Sequence, residues 1–144
     1  MATERSAAAV WQGDLTNGSG TILSTTSGAL PQLDVSWAAR TEDAGGKTSP
    51  EDLIAAAWAS CFAMALSNVL AKGGNAPEKL ETAATVTFQP GQGITRGVLT
   101  VRGTVPGISD HDFHAAAEDA KVNCPVSKAL TGVPDVQVEA SLAA

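Results

Sequence analysis

The sequence predicts an α+β fold, an antiparallel sheet in the order βββ-α-ββ-α-α-β built around one long buried helix. Three observations carry that expectation. An apolar stretch over 49–72 is bracketed by helix start and stop signals. The segments on either side of it alternate apolar and polar residues with the period of a strand. A second start signal, Ser109 with Asp112, opens a run in which Phe113, Ala116, Ala117 and Ala120 share one helical face.

In chain order, 8–12 and 21–26 are rich in β-formers and flank Gly13-Asp14 and Asn17-Gly18-Ser19-Gly20, a hairpin signal. A third strand is expected over 33–40, with Val35 and Trp37 on one face and Asp34 and Ser36 on the other. Residues 41–48, with Gly45-Gly46, form the loop into the long helix. There Ser49 caps, Pro50 takes the first helical position and Asp52 completes a Ser-x-x-acid capping box. Gly73-Gly74 ends it. Between Leu53 and Leu66 the only polar side chains are Ser60 and the thiol of Cys61, so burial on all sides is expected. The apolar core is shorter than the roughly 18 to 20 residues of a membrane span, which predicts a core helix.

Strands follow at 82–89 and 94–105 around Pro90-Gly91-Gln92-Gly93. The helix begun at Ser109 is expected to stop at Asn123-Cys124-Pro125, because a residue before proline is pushed out of the helical region. A short helix over 126–130 and an alternating strand over 136–142 complete the chain. Without repeat, linker or composition shift, 1–144 reads as a single domain. A small sheet covers one side of a helix that is apolar all round, so a second copy of the chain is the expected cover for the other.

Hydrophobic residues at 44% and charged residues at 17% describe a globular protein. Fifteen acids against nine bases give a net charge of −6 with no basic cluster, which argues against nucleic acid or a membrane surface as partner. The first residues have no basic region followed by an apolar one, so a cytoplasmic location is expected. There, two cysteines are reduced, catalytic or inert rather than a permanent staple. On its residues alone Cys61 reads either as a buried structural thiol or as a nucleophile. The combination of Cys61, His111, His114 and Cys124 matches no compact ligand spacing, so no metal is expected.

Thr48-Ser49-Pro50-Glu51-Asp52-Leu53, Ala59-Ser60-Cys61-Phe62-Ala63-Met64-Ala65-Leu66 and Asn123-Cys124-Pro125-Val126-Ser127 resemble the OsmC/Ohr family, the osmotically inducible and organic hydroperoxide resistance proteins. Trp11-Gln12-Gly13-Asp14 and Val105-Pro106-Gly107-Ile108 extend the likeness over nearly the whole chain, and its details look more like the OsmC branch. The resemblance implies an intertwined homodimer and a cysteine-based peroxidase that reduces organic hydroperoxides in oxidative or osmotic stress defence. It implies no metal, haem or flavin cofactor, and an external dithiol or lipoyl-protein reductant. Cys61 would be the nucleophile, becoming a sulfenic acid that Cys124 resolves as a Cys61–Cys124 disulfide. Cys124, before Pro125, stands where a helix N-terminus favours a thiolate; the alternative is a loop cysteine with no role.

A thiol's ordinary pKa is about 8.5, so a cation must lower it. The helix offers none, and Arg40 matches an arginine of the family; the alternative is a solvated charge. Glu51 would hold its guanidinium by a bidentate pair, or simply suit the helix dipole. Trp37, Trp58, Phe62 and Met64 are candidates for the substrate pocket, each also a reasonable core residue. Trp58 departs from the family, where many OsmC-type relatives carry histidine, and the loop 41–48 also differs. Two other functions fit the same residues, a non-catalytic binder of an apolar ligand and a cysteine redox sensor.

Helix geometry adds a constraint. Glu51 and Cys61 are ten residues apart, about 15 Å on a straight helix and about 80° apart around its axis. An arginine spanning about 7 Å cannot hold one and touch the other on the same straight helix. Either the run Ala55-Ala56-Ala57 kinks, or Arg40 and Glu51 of one subunit serve Cys61 of the other. The second is preferred, since alanine runs are strong helix formers.

Overall fold

The glycine-rich turn at 13–18 closes the expected hairpin. In a computed structural model that describes residues 1–144, β1 (Ala7–Gln12) pairs antiparallel with β2 (Ser19–Thr25). β2 pairs antiparallel in turn with β3 (Leu33–Val35). This third strand is shorter than expected because Ser36 takes the chain out of the sheet. Its hydroxyl accepts a hydrogen bond from the Ala39 N–H at 3.0 Å and caps α1 (Trp37–Thr41). Trp37 and Arg40, expected on a strand, therefore stand on a single helical turn.

The long helix α2 (Pro50–Lys72) is continuous and begins where its signals place it. Ser49 Oγ accepts from the Asp52 N–H at 3.1 Å, and the Asp52 carboxylate accepts from the Thr48 hydroxyl at 3.4 Å. Gly74, at φ +89, supplies the left-handed stop. Two units divide the chain, Met1–Leu53 and Ile54–Ala144, and each is described by itself.

In the second unit, β4 (Lys79–Gln89) pairs antiparallel with β5 (Gly93–Thr104) through the tight turn at 90–92. Then come α3 (Asp110–Asn123), α4 (Pro125–Ala129) and β6 (Asp135–Leu142), which pairs with β5 in parallel. The second sheet is thus mixed, where an antiparallel one was expected. The reason is the connection: two helices carry the chain back over the sheet, and a helical crossover returns a strand in the same direction.

The α2 residues Trp58, Phe62, Leu66 and Leu70 recur every fourth position and are buried with Leu99 and Val101 of β5 and Phe113, Ala117 and Ala120 of α3. Around the other side Ala56, Ala57 and Ser60 are exposed, and Met64 is 69% exposed. Burial on all sides is therefore not reached in the single chain; the helix is apolar all round but covered on one face. By length and composition α2 is long and apolar enough to cross a membrane, more than the apolar core alone suggested. Its four-residue spacing of wholly buried side chains within a sheet-and-helix core is the pattern of a core helix. One close approach fixes how α2 meets β5: a Cβ on Gly97 would lie 2.4 Å from the Trp58 ring, so the indole rests directly on backbone.

Candidate active site

Two constellations of reactive groups form, one in each unit. In the first, Arg40 on the last turn of α1 meets Glu51 in the first turn of α2. Arg40 Nε donates to Glu51 Oε1 at 2.8 Å and Nη2 to Oε2 at 2.9 Å, a bidentate pair. The glutamate side chain is 10% exposed and the arginine 31%. The guanidinium also lies 5.9 Å from the centre of the Trp37 ring, within cation–π range. A cavity of about 310 Å³ opens beside the pair, walled by Trp11, Leu15, Val35, Trp37 and Pro50, with Ser36 and Arg40 as its polar groups. An apolar pocket with one cation in its wall suits a greasy molecule carrying a polar, electron-rich end.

In the second unit the two cysteines are reduced and adjacent. The Cys124 and Cys61 sulfurs share a hydrogen bond at 2.9 Å, with Cys124 buried and Cys61 half-buried. Pro125 sets this up: α3 ends, the Cys124 N–H closes its last turn on Ala120 O at 2.9 Å, and Cys124 becomes the N-cap of α4. The Cys61 thiol is pushed above its ordinary value, first by burial and second by the neighbouring Cys124 thiol. A hydrogen bond from the Val126 backbone N–H pulls the other way. One turn before Cys61, Trp58 Nε1 donates to Ser127 Oγ at 2.7 Å.

The remaining expected site residues divide clearly. Trp37 lines the cavity of the first unit. Trp58 and Phe62 have no exposed surface and belong to the core of the second. Met64 lies on the open face of α2. His111 and His114 are on the exposed side of α3, with His114 Nδ1 2.8 Å from Asp110 O. Sequence reasoning missed Val126, Ser127, Trp11 and Leu15. Ser127 carried a faint signal, a hydroxyl three residues after Cys124, and Trp11 stood in a family-like run; neither pointed to a pocket, because the wall exists only once β1 and α1 come together.

The model of the OsmC-like protein family matches residues 42–139 of this chain. The chain belongs to that family. It is 40% identical over 133 residues to the peroxiredoxin OsmC of Escherichia coli (strain K12), covering 90% of this chain and 92% of that protein. To the organic hydroperoxide resistance protein OhrA of Bacillus subtilis (strain 168) it is 36% identical over 96 residues, 64% of this chain and 66% of that one. Among solved structures, the organic hydroperoxide resistance protein OsmC of Legionella pneumophila superposes with a TM-score of 0.67 at 27% identity, covering 96% and 97% of the two chains. An OsmC-like protein of Mycoplasma pneumoniae gives a TM-score of 0.72 at 17% identity over 100% of each chain, a likeness of fold. The α+β fold with two sheets and four helices is that of the family.

Proposed function

We propose that this protein is a cysteine-based peroxidase that reduces organic hydroperoxides to alcohols in oxidative or osmotic stress defence, acting as a cytoplasmic homodimer. The observation that carries the reading is the 2.9 Å approach of the Cys61 and Cys124 sulfurs. Two thiols at that separation need little movement to become a disulfide. The Cys61 thiolate attacks the outer peroxide oxygen, the O–O bond breaks, and the inner oxygen leaves with a proton as an alcohol. Cys61 becomes a sulfenic acid. Cys124 attacks that sulfur, water leaves, and an external dithiol, lipoyl-protein or otherwise, reduces the disulfide.

The bidentate Arg40–Glu51 pair supports a role for Arg40 as the cation that lowers the Cys61 pKa and receives the peroxide. The apolar cavity beside it supports an organic substrate, as do the names of the hydroperoxide resistance relatives. On this reading Trp37 touches substrate, Trp58 and Phe62 form the floor under Cys61, and Met64 lies where a second copy covers α2. That open apolar face, with Val10 and Trp11 exposed on β1, supports the homodimer. Turnover of cumene hydroperoxide with a dithiol tests the whole scheme. Cys61→Ser should abolish it, whereas Cys124→Ser should consume about one equivalent per subunit and then over-oxidise. Undiminished turnover in Cys61→Ser would point to another reaction centre. A wild type that forms the disulfide but does not turn over would favour a redox sensor.

A further inference from the structure

Nothing in the reaction scheme uses the indole N–H of Trp58, yet it makes one of the most specific contacts in the second unit. Trp58 has no exposed surface, and its ring is pinned against the bare backbone of Gly97 on β5. Its Nε1 reaches sixty-nine residues along the chain to Ser127 Oγ, at 2.7 Å. Ser127 is the third residue of α4, and Cys124 is the N-cap of the same five-residue helix. Three links therefore join one turn of α2 to the first turn of α4. They are Trp58 to Ser127, the Val126 N–H to the Cys61 sulfur, and the Cys124 sulfur to the Cys61 sulfur. Only the first is independent of the reacting thiols. A five-residue helix has little hold of its own, since so short a segment is marginal in water and needs tertiary contacts.

We propose that Trp58 is a positioning residue for disulfide formation: through Ser127 it clamps α4 to α2, so that Cys124 stays within reach of Cys61 while both sulfurs are reduced. The inference rests on the thiol pair of the proposed peroxidase and deepens its second step. In that step the Cys124 sulfur bonds to the Cys61 sulfur, the S–O bond of the sulfenic acid breaks, and oxygen leaves as water with the Cys124 proton. Val126 of α4 and Leu130 just after it also pack against the core, so losing the clamp widens the range of Cys124 positions rather than freeing the helix. The clamp raises the effective concentration of one thiol at the other, as a short tether does.

Ser127→Ala removes the acceptor with the least change in volume, and Ser127→Thr keeps a hydroxyl at the same place. Two measurements separate this inference from the peroxidase reading. The first equilibrates the protein in glutathione redox buffers, with no peroxide present, and reads the Cys61–Cys124 disulfide. Losing one hydrogen bond should lower the disulfide equilibrium constant about tenfold in Ser127→Ala, a rise of about 30 mV in potential, with Ser127→Thr near wild type. The second adds cumene hydroperoxide and a sulfenic-acid trap, and the trapped fraction should rise by a similar factor in Ser127→Ala only. If wild type is inert to peroxide but the glutathione shift is present, the peroxidase reading fails and the clamp stands. A Ser127→Ala protein that melts at a lower temperature yet keeps the wild-type potential overturns the clamp and leaves Trp58 as core packing.

Discussion

Cys61 sits between opposed influences, and their signs make a prediction. Burial comes first and the Cys124 thiol second in holding its pKa above the ordinary value, while the Val126 N–H pulls it down. A raised thiol pKa means less thiolate at neutral pH, and the thiolate is the reactive form. Cys124→Ala removes one of the raising influences and leaves the Val126 hydrogen bond, so the Cys61 pKa should fall. Alkylation of Cys61 at pH 7 should then be several-fold faster than in wild type, with the midpoint of the pH–rate curve moved to lower pH. An unmoved midpoint would mean that burial alone sets the value. At this scale the residues that the structure pairs, Arg40 with Glu51 and Cys61 with Cys124, were legible. A cysteine in an apolar helix, a second before proline, and an acid in a first helical turn are local patterns. The hydrogen bond from Trp58 to Ser127 was not legible, because it spans sixty-nine residues and depends on where α4 docks.

Among the elements, the packing of α2 on β5 turns on Gly97. A Cβ there would meet the Trp58 ring carbons at 2.4 and 2.5 Å, and that ring is enclosed on all sides. Gly97→Ala should cost about 1–3 kcal/mol by overpacking, read from the urea midpoint. Gly73→Ala is the control. Its Cβ would meet only backbone carbonyls at 3.5 Å, and the change should stay within about 0.5 kcal/mol. A Gly97→Ala protein as stable as the control would show that the indole can slide on the sheet. Elements with their own start and stop chemistry were the legible ones. α2 opens at Ser49-Pro50 and stops at Gly74, and α3 opens at Ser109, whose hydroxyl accepts from the Asp112 N–H at 3.1 Å. Two features escaped. α1 is a single turn won by the Ser36 cap from a segment with strand-like alternation, and the parallel pairing of β6 depends on the route of the crossover rather than on any residue in the strand.

For the whole molecule, the proposed site must bring a cation to a thiol ten residues down a helix from that cation's carboxylate partner. α2 remains helical through Ala55, Ala56 and Ala57, the run where a kink was the alternative. At about 1.5 Å per residue, Glu51 and Cys61 then lie about 15 Å apart along the axis, beyond what one guanidinium bridges. A second copy, as proposed, would resolve both this distance and the uncovered face of α2. On a two-fold axis, Arg40 and Glu51 of each subunit would serve Cys61 of its partner. Mixed dimers decide the matter. Arg40→Ala and Cys61→Ser homodimers should each be nearly inactive, and because such a dimer would not exchange without unfolding, the two are unfolded together and refolded. If sites are shared, every heterodimer carries one intact site and one doubly broken one. Random pairing makes half the dimers hetero, so the mixture should regain up to about a quarter of wild-type turnover. If each subunit holds its own site, one subunit of the heterodimer lacks the arginine and the other lacks the thiol, and the refolded mixture stays as inactive as its parents.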